Sequence, residues 1–184
     1  MQKKILKLVV LIAIIIGAFA LARLVADNDV IKNLLLNYGY PGLFLASVIS
    51  GFNILVPIPI VSFLPLLLEA GLNYWLTVLV ISLGVTGGDM LSYLVGRVGR
   101  EISKQGHIER AAKLKRFAQR FSIAPLFILF LFAAFVPFPN EIIVIPLAFL
   151  GYQVKKVLPV ALAGNLVFNY LASQGFIGLY DFLF

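Results

Sequence analysis

The chain contains no cysteine, so it has no disulfide framework, no thiolate metal site and no cysteine nucleophile. It has a single histidine, His107, too few for a conventional zinc centre. Charge is scarce as well: 12% of the 184 residues are charged, against 61% hydrophobic, and mean hydropathy is +1.03. A soluble domain of this size cannot cover so much apolar side chain with so little polar surface. These absences leave an integral membrane protein, one domain of a few spanning helices. No nucleophile–base pair, phosphate loop or metal-ligand cluster is legible, so neither catalysis nor a cofactor is expected.

The net charge of +7 does not mark a nucleic-acid binder, because the basic residues flank apolar segments as membrane topology signals do. Lys3, Lys4 and Lys7 precede the first apolar run. Arg97, Arg100, Lys104, Arg110, Lys113, Lys115, Arg116 and Arg120 fill the one long polar stretch, and Lys155 and Lys156 precede the last apolar run.

Leu8 to Leu24 reads as a retained membrane helix, being long for a signal-peptide core despite the small-residue triplet Ala18-Phe19-Ala20. A polar connection and a turn or helix over Ile31 to Tyr38 follow. Tyr40 to Gly71 is an apolar block broken at Asn53 and at Pro57-Ile58-Pro59, and Leu72 to Val95 reads as a spanning helix. Beyond the basic stretch, Phe121 to Gly151 is a second block, broken at Val136-Pro137-Phe138-Pro139-Asn140-Glu141. Val157 to Leu179 reads as a final spanning helix.

As one straight helix each broken block is about 48 Å long, overshooting a hydrocarbon core of about 30 Å. Two half-length helices meeting at a proline tip solve this as a re-entrant hairpin, its tip backbone buried or facing water. The blocks also repeat. The Val-Pro-x-Pro tips lie 80 positions apart, and in that register Gly71 matches Gly151, Gly84 matches Gly164, Phe52 matches Phe132, Leu91 matches Leu171 and Asp89 falls opposite Asn169. With the lysine-rich start and the 97–120 stretch both cytoplasmic, the two copies have opposite orientation.

The expected architecture is therefore an all-α integral membrane protein built as an inverted repeat of a re-entrant helical hairpin plus a transmembrane helix. An N-terminal helix and connection (1–39) lead to repeat 1 (40–96), a basic cytoplasmic segment (97–120) and repeat 2 (121–184). In the basic segment Ala111, Leu114, Phe117, Ala118 and Phe121 share one helical face opposite Glu109, Lys113, Arg116 and Arg120. Such an amphipathic helix suits an anionic lipid interface. The expected location is the plasma (cytoplasmic) membrane, multi-pass, with the N-terminus in the cytoplasm.

An ionisable side chain inside a bilayer is costly unless paired or hydrated, which makes it a functional candidate. Glu69 and Asp181 fall near segment ends and read as interfacial. Asp89 lies within a spanning helix, where it can pair with Arg97 or hydrogen-bond across to the other repeat. Glu141 sits beside the second tip. Asn140 or Glu141 can cap the half-helix that starts there, and the same helix start favours an anionic substrate group. A carboxylate facing that anion makes proton coupling at Glu141 an expectation. Arg97 and Arg100 are candidate phosphate contacts, since guanidinium matches phosphate geometry; topology signalling alone is the other reading of both.

Gly88-Asp89, Tyr93 and Gly96-Arg97, followed by Gly99, resemble the G-D-x3-Y-x2-G-R signature of DedA-type proteins, the VTT or SNARE-associated Golgi protein family. The resemblance covers roughly Tyr40 to Leu179 and includes the proline tips Pro57, Pro59, Pro137 and Pro139. It departs from the family in having no carboxylate at the first tip and no arginine at the second, as a divergent branch would. The resemblance implies lipid movement: flipping of polyprenyl-phosphate carriers in bacterial relatives and phospholipid scrambling in eukaryotic ones. The expected partners are membrane lipids with anionic headgroups, and a homodimer is open. An ion-coupled exporter of small molecules and a membrane scaffold without transport are the alternatives.

Overall fold

A computed structural model describes residues 29–52, 60–103 and 123–183, and everything regular in them is helical. Helix α1 spans Asp29–Gly51, with a kink where Gly39 takes φ 48 and ψ −130, ahead of Pro41. Only a residue without a Cβ adopts that backbone cheaply, and Pro41 is tolerated because a new first turn begins there. A 3-10 turn, Ile60–Phe63, then leads into α2, Leu64–Glu69. Helix α3 spans Tyr74–Ile102 and is capped by Asn73, whose Oδ1 accepts from the Leu76 N–H at 3.2 Å. Helices α4 (Ala124–Phe135) and α5 (Glu141–Phe149) flank the proline-bearing break, and α6 spans Val154–Leu183.

Among the described residues two helices are long and apolar enough to cross a membrane: α3, with mean hydropathy 1.7, and 154–178 of α6, with 1.2. At 12 and 9 residues, α4 and α5 extend about 18 Å and 14 Å, each short of the hydrocarbon thickness of about 30 Å. The break at 136–140 thus divides the second block as its prolines predict. The tip with Pro57 and Pro59, the apolar segment from Leu8 to Leu24 and most of the basic segment lie outside the described residues.

Helix α3 runs farther than the sequence reading set it. It continues to Ile102, so Arg97, Arg100 and Glu101 belong to the last turns of α3 rather than to a separate amphipathic segment. Gly96 and Gly99 do not end it, because Gly96 is held against Ile145 and Ala148 of α5 and Gly99 faces Phe149.

Contacts give the helix directions. Along α3, Tyr74 meets Ser173, Ser82 meets Asn169 and Asp89 meets Asn165, so α3 and α6 are antiparallel. Gly84 lies against Phe44 and Ser47, and Gly88 against Gly51, so α1 runs parallel to α3. Helix α5 also runs with α3, from Asn140 at Asp89 to Gly151 at Arg100. The backbone N–H of Asn73 donates to the Tyr40 hydroxyl at 2.9 Å, so after 33 residues the first block has returned to where its straight helix began.

The two turns that follow the blocks are alike. Gly71 has φ 90 and Gly151 φ 80. Gly71 N bonds Leu68 O and Leu72 N bonds Leu67 O; Gly151 N bonds Ala148 O and Tyr152 N bonds Leu147 O. This is a glycine-terminated helix end, repeated at an offset of 80. The preceding half-helices do not keep that offset. Gly84 meets Ser47, whereas Gly164 meets Ala133, 86 positions later. In that pairing Phe52 does not fall opposite Phe132.

Two apolar clusters result. Leu43, Phe63, Leu64, Leu67, Val78 and Ile81 join α1, the 3-10 turn, α2 and the first half of α3. Tyr93, Leu129, Val144, Leu147, Ala148, Val157 and Ala161 join the second half of α3 to α4, α5 and the start of α6. Between them the buried side chains are polar: Ser82, Thr86, Asp89, Asn140, Glu141, Asn165 and Asn169. Outside, Leu45, Ile49, Leu83, Leu91, Ile128, Ile142 and Leu171 are exposed. Polar side chains inside and leucines outside suit lipid as the surrounding solvent.

Candidate functional site

The polar layer centres on Asp89, which is fully buried. Its Oδ2 accepts from Asn165 Nδ2 at 2.8 Å and from Asn140 Nδ2 at 3.2 Å. Asn140 Nδ2 also donates to Asn165 Oδ1 at 2.9 Å, and Asn165 Nδ2 to Thr86 Oγ1 at 3.0 Å. Thr86 donates back to the Ser82 carbonyl at 2.7 Å, and Ser82 Oγ accepts from Asn169 Nδ2 at 3.0 Å. The seam continues along α3 and α6 to Tyr74, whose hydroxyl is 2.8 Å from Ser173 Oγ and accepts from Gln174 Nε2 at 2.7 Å.

Glu141 opens α5 and is 4% exposed, yet neither of its carboxylate oxygens has a hydrogen-bond partner. Asp89 Oδ1 and Ser92 Oγ are likewise buried and unpartnered. The Glu141 carboxylate lies within electrostatic range of Asp89. Two buried acids thus feel each other's charge, with amides and hydroxyls around Asp89 and, among the described residues, no basic side chain bonded to either.

Of the two readings open for Asp89, the structure takes the hydrogen bond to the second half of the chain. Arg97 turns outward instead and pairs with Glu101, Nε to Oε1 at 3.3 Å, both side chains 63% exposed. The capping reading of the second tip does not hold: Asn140 occupies the N-cap position of α5 without a side-chain cap, because its amide is committed to Asp89 and Asn165. Nor does the Glu141 side chain cap the helix. Pro137 and Pro139 lie in the break, where their missing N–H groups cost no helical bond. Glu69 is exposed, as an interfacial side chain should be. The Asp181 side chain and the tip prolines Pro57 and Pro59 lie outside the described residues.

One turn beyond Asp89, Tyr93 lines a cleft. Tyr93, 6% exposed, donates its hydroxyl to the Tyr152 carbonyl at 2.7 Å and so ties α3 to the turn after α5. The cleft is about 480 Å³ and is lined by Tyr93, Arg97, Arg100, Gly151, Tyr152 and Gln153 among others. The Arg100 guanidinium lies against Gly151, where any Cβ would collide with it. Lys155 and Lys156, both exposed, start α6 beside this turn. Arg97, Arg100, Tyr93, Asp89, Asn140 and Glu141 therefore fall in one region, arranged along one side of α3 and the start of α5.

Gly88 and Gly96 have a packing role. A Cβ on Gly88 would fall 2.6 Å from Gly51 Cα, so α1 and α3 touch backbone to backbone there, one residue before Asp89. Gly96 gives α5 the same close approach. Asn165, Thr86 and Ser82 are the members that the reading of single acids and tips passed over. Their signal is periodic: polar residues at 82, 86 and 89 on one helix and at 165, 169 and 173 on another follow helical spacing within apolar sequence. Asn169, the repeat partner of Asp89 in the 80-residue register, bonds Ser82 rather than Asp89.

Comparison of the chain with protein-family models, with curated proteins and with solved structures gave no match in any of the three.

Proposed function

We propose that the protein moves phosphate-bearing lipids, such as a polyprenyl phosphate or a phospholipid, between the leaflets of a plasma membrane. The observation that carries this reading is the nearness of the arginine cleft to the buried Asp89–Asn140–Glu141 layer: Tyr93 lines the first and lies one helical turn from Asp89 in the second. Arginines suit a phosphate headgroup at the membrane surface. A polar layer at mid-depth lowers the cost of carrying that headgroup inward while its tails stay in lipid.

The depth arithmetic supports it. Trp75, 67% exposed and stacked on Tyr170 at 5.9 Å, suits an aromatic belt at one interface. Arg97 lies 22 residues on, about 33 Å along a helix, close to the hydrocarbon thickness of about 30 Å. Asp89 then falls near the midplane. The basic end, with Arg97, Arg100, Lys155 and Lys156, is cytoplasmic by the positive-inside rule, and an N-terminus on the same side follows from Lys3, Lys4 and Lys7.

An inverted repeat of re-entrant hairpins fits the same facts. The first block returns to Tyr40 at the aromatic end, whereas the second leaves at Gly151 at the basic end. The core helices α3 and α6 are antiparallel. Such a pair of opposed halves gives access from either side to one central site, and the signature-like residues Gly88, Asp89, Tyr93, Gly96 and Arg97 lie along its seam.

Reconstitution tests the proposal. Purified protein in liposomes with a fluorescent phospholipid or polyprenyl phosphate in one leaflet is expected to speed exchange, and Arg97→Ala together with Arg100→Gln to slow it. Solute flux without lipid exchange would instead favour the small-molecule exporter, and neither activity the scaffold.

A further inference from the structure

We infer that the carboxylate pair at the centre of the molecule is a binding site for a hard monovalent cation, Na+. It concerns the layer alone and stands whether or not a lipid is what the protein moves.

The ligand set comes from atoms the fold buries and leaves without partners. Asp89 Oδ1, both oxygens of Glu141 and Ser92 Oγ are all buried and unpartnered. Asp89 is fully buried and Glu141 is 4% exposed. Ser92 supplies an observation independent of the acids. Asp89 meets Asn140 at the start of α5, and Gly96 meets Ile145 and Ala148 farther along it. Residues 89, 92 and 96 form one stripe of α3 at helical spacing, so Ser92 faces α5 within one turn of Asp89 and of the start of α5, where Glu141 stands.

The chemistry narrows the occupant. Every unpartnered atom is oxygen, which suits a hard cation and none of the softer metals. Four protein oxygens fall short of the roughly six to eight that calcium takes, and magnesium sheds its water reluctantly. The amides are already ordered around the pair: Asn140 and Asn165 both donate to Asp89 Oδ2, which fixes the carboxylate with its other oxygen free. No arginine or lysine bonds either acid among the described residues. A cation at the non-helical break between two half-helices is also where membrane transport folds place coupling ions.

Thermal unfolding of the purified full chain in detergent, at fixed pH and ionic strength, tests this. Exchanging choline for Na+ is expected to raise the Tm by several degrees with a saturable dependence, and K+ to do much less. Glu141→Gln and Asp89→Asn should abolish the Na+-specific rise. If Asp89→Asn fails to fold, Ser92→Ala is the second probe: its Tm in choline should match wild type while the half-saturating Na+ concentration increases several-fold. Equal Tm in Na+ and choline, a rise produced only by Ca2+ or only by acid, or a Na+ rise kept in Glu141→Gln would overturn the proposal. Because lipid exchange is not read here, a Na+ response without lipid movement leaves this site standing and removes the lipid reading, and the converse holds.

Discussion

Asn165→Ala is the perturbation that most directly measures the polar layer. The Asn165 side chain makes three hydrogen bonds: to Asp89 Oδ2 at 2.8 Å, to Thr86 Oγ1 at 3.0 Å and from Asn140 Nδ2 at 2.9 Å. A hydrogen bond to a charged group contributes about 1.5–3 kcal/mol, and neutral ones within a membrane average about 0.6 kcal/mol each. Truncation should therefore cost about 3 kcal/mol. Asn169→Ala is the matched control, since it removes equal side-chain volume from the same helix but one neutral bond, to Ser82. Its expected cost beyond the shared cavity is about 0.6 kcal/mol. The difference of about 2 kcal/mol is a factor of about 30 in the folded-to-unfolded ratio. Equilibrium unfolding in mixed micelles, followed by circular dichroism, reads it. Equal losses, or a larger loss in Asn169→Ala, would refute Asn165 as the organiser of Asp89.

Three further expectations follow from the geometry. Gly88→Ala puts a methyl group against the Gly51 backbone and should cost about 1–3 kcal/mol as overpacking, read by the same unfolding transition; Gly178→Ala, which meets open space, should be neutral or slightly stabilising. Trp75 is the one tryptophan in the chain, so quenching of intrinsic fluorescence by brominated lipids reports its depth alone. It should lie about 15 Å from the bilayer centre, and quenching strongest at the centre would displace the proposed membrane slab. Arg100→Gln should weaken binding of phosphate-headgroup lipids and flatten its dependence on salt, because a half-buried charge in an open cleft still acts through a partly screened interaction; an unchanged salt dependence, read by lipid competition in micelles, removes Arg100 from the cleft's function.

Much of the scaffold was legible because it follows from length and breakers. A run too long for one span, interrupted by Pro137 and Pro139, has to bend, and the break at 136–140 lies there. Gly71 and Gly151 announced matching turns because both need positive φ. Helix ends were harder. Arg97 and Arg100 read by charge as the start of a separate cytoplasmic segment, yet α3 carries them, since helix propensity and the packing of Gly96 on α5 outweigh the charge pattern.

Within the site, Asp89, Asn140 and Glu141 stood out because acids and amides are rare in apolar sequence. Their partners did not, because pairing between α3 and α6 is a long-range fact of an antiparallel crossing. The 80-residue register pointed from Asp89 to Asn169, but in an antiparallel pair equivalent positions move apart away from the crossing point, and Asn165 is the neighbour instead. Capping was the natural reading of Asn140 in isolation. A stronger demand, the buried Asp89, claimed its amide.

The central claim is that a phosphate-bearing headgroup crosses the bilayer past Asp89, and leaflet exchange in proteoliposomes tests it most directly. Vesicles carrying a labelled polyprenyl phosphate or phospholipid, with an encapsulated dye as leak control, are compared for wild-type protein and Asp89→Asn at equal incorporation. Rapid loss of inner-leaflet protection with wild type, no dye leakage and a return to the protein-free rate in Asp89→Asn is the expected result. Exchange that is the same with Asp89→Asn as with wild type, or no faster than in empty vesicles, would contradict it.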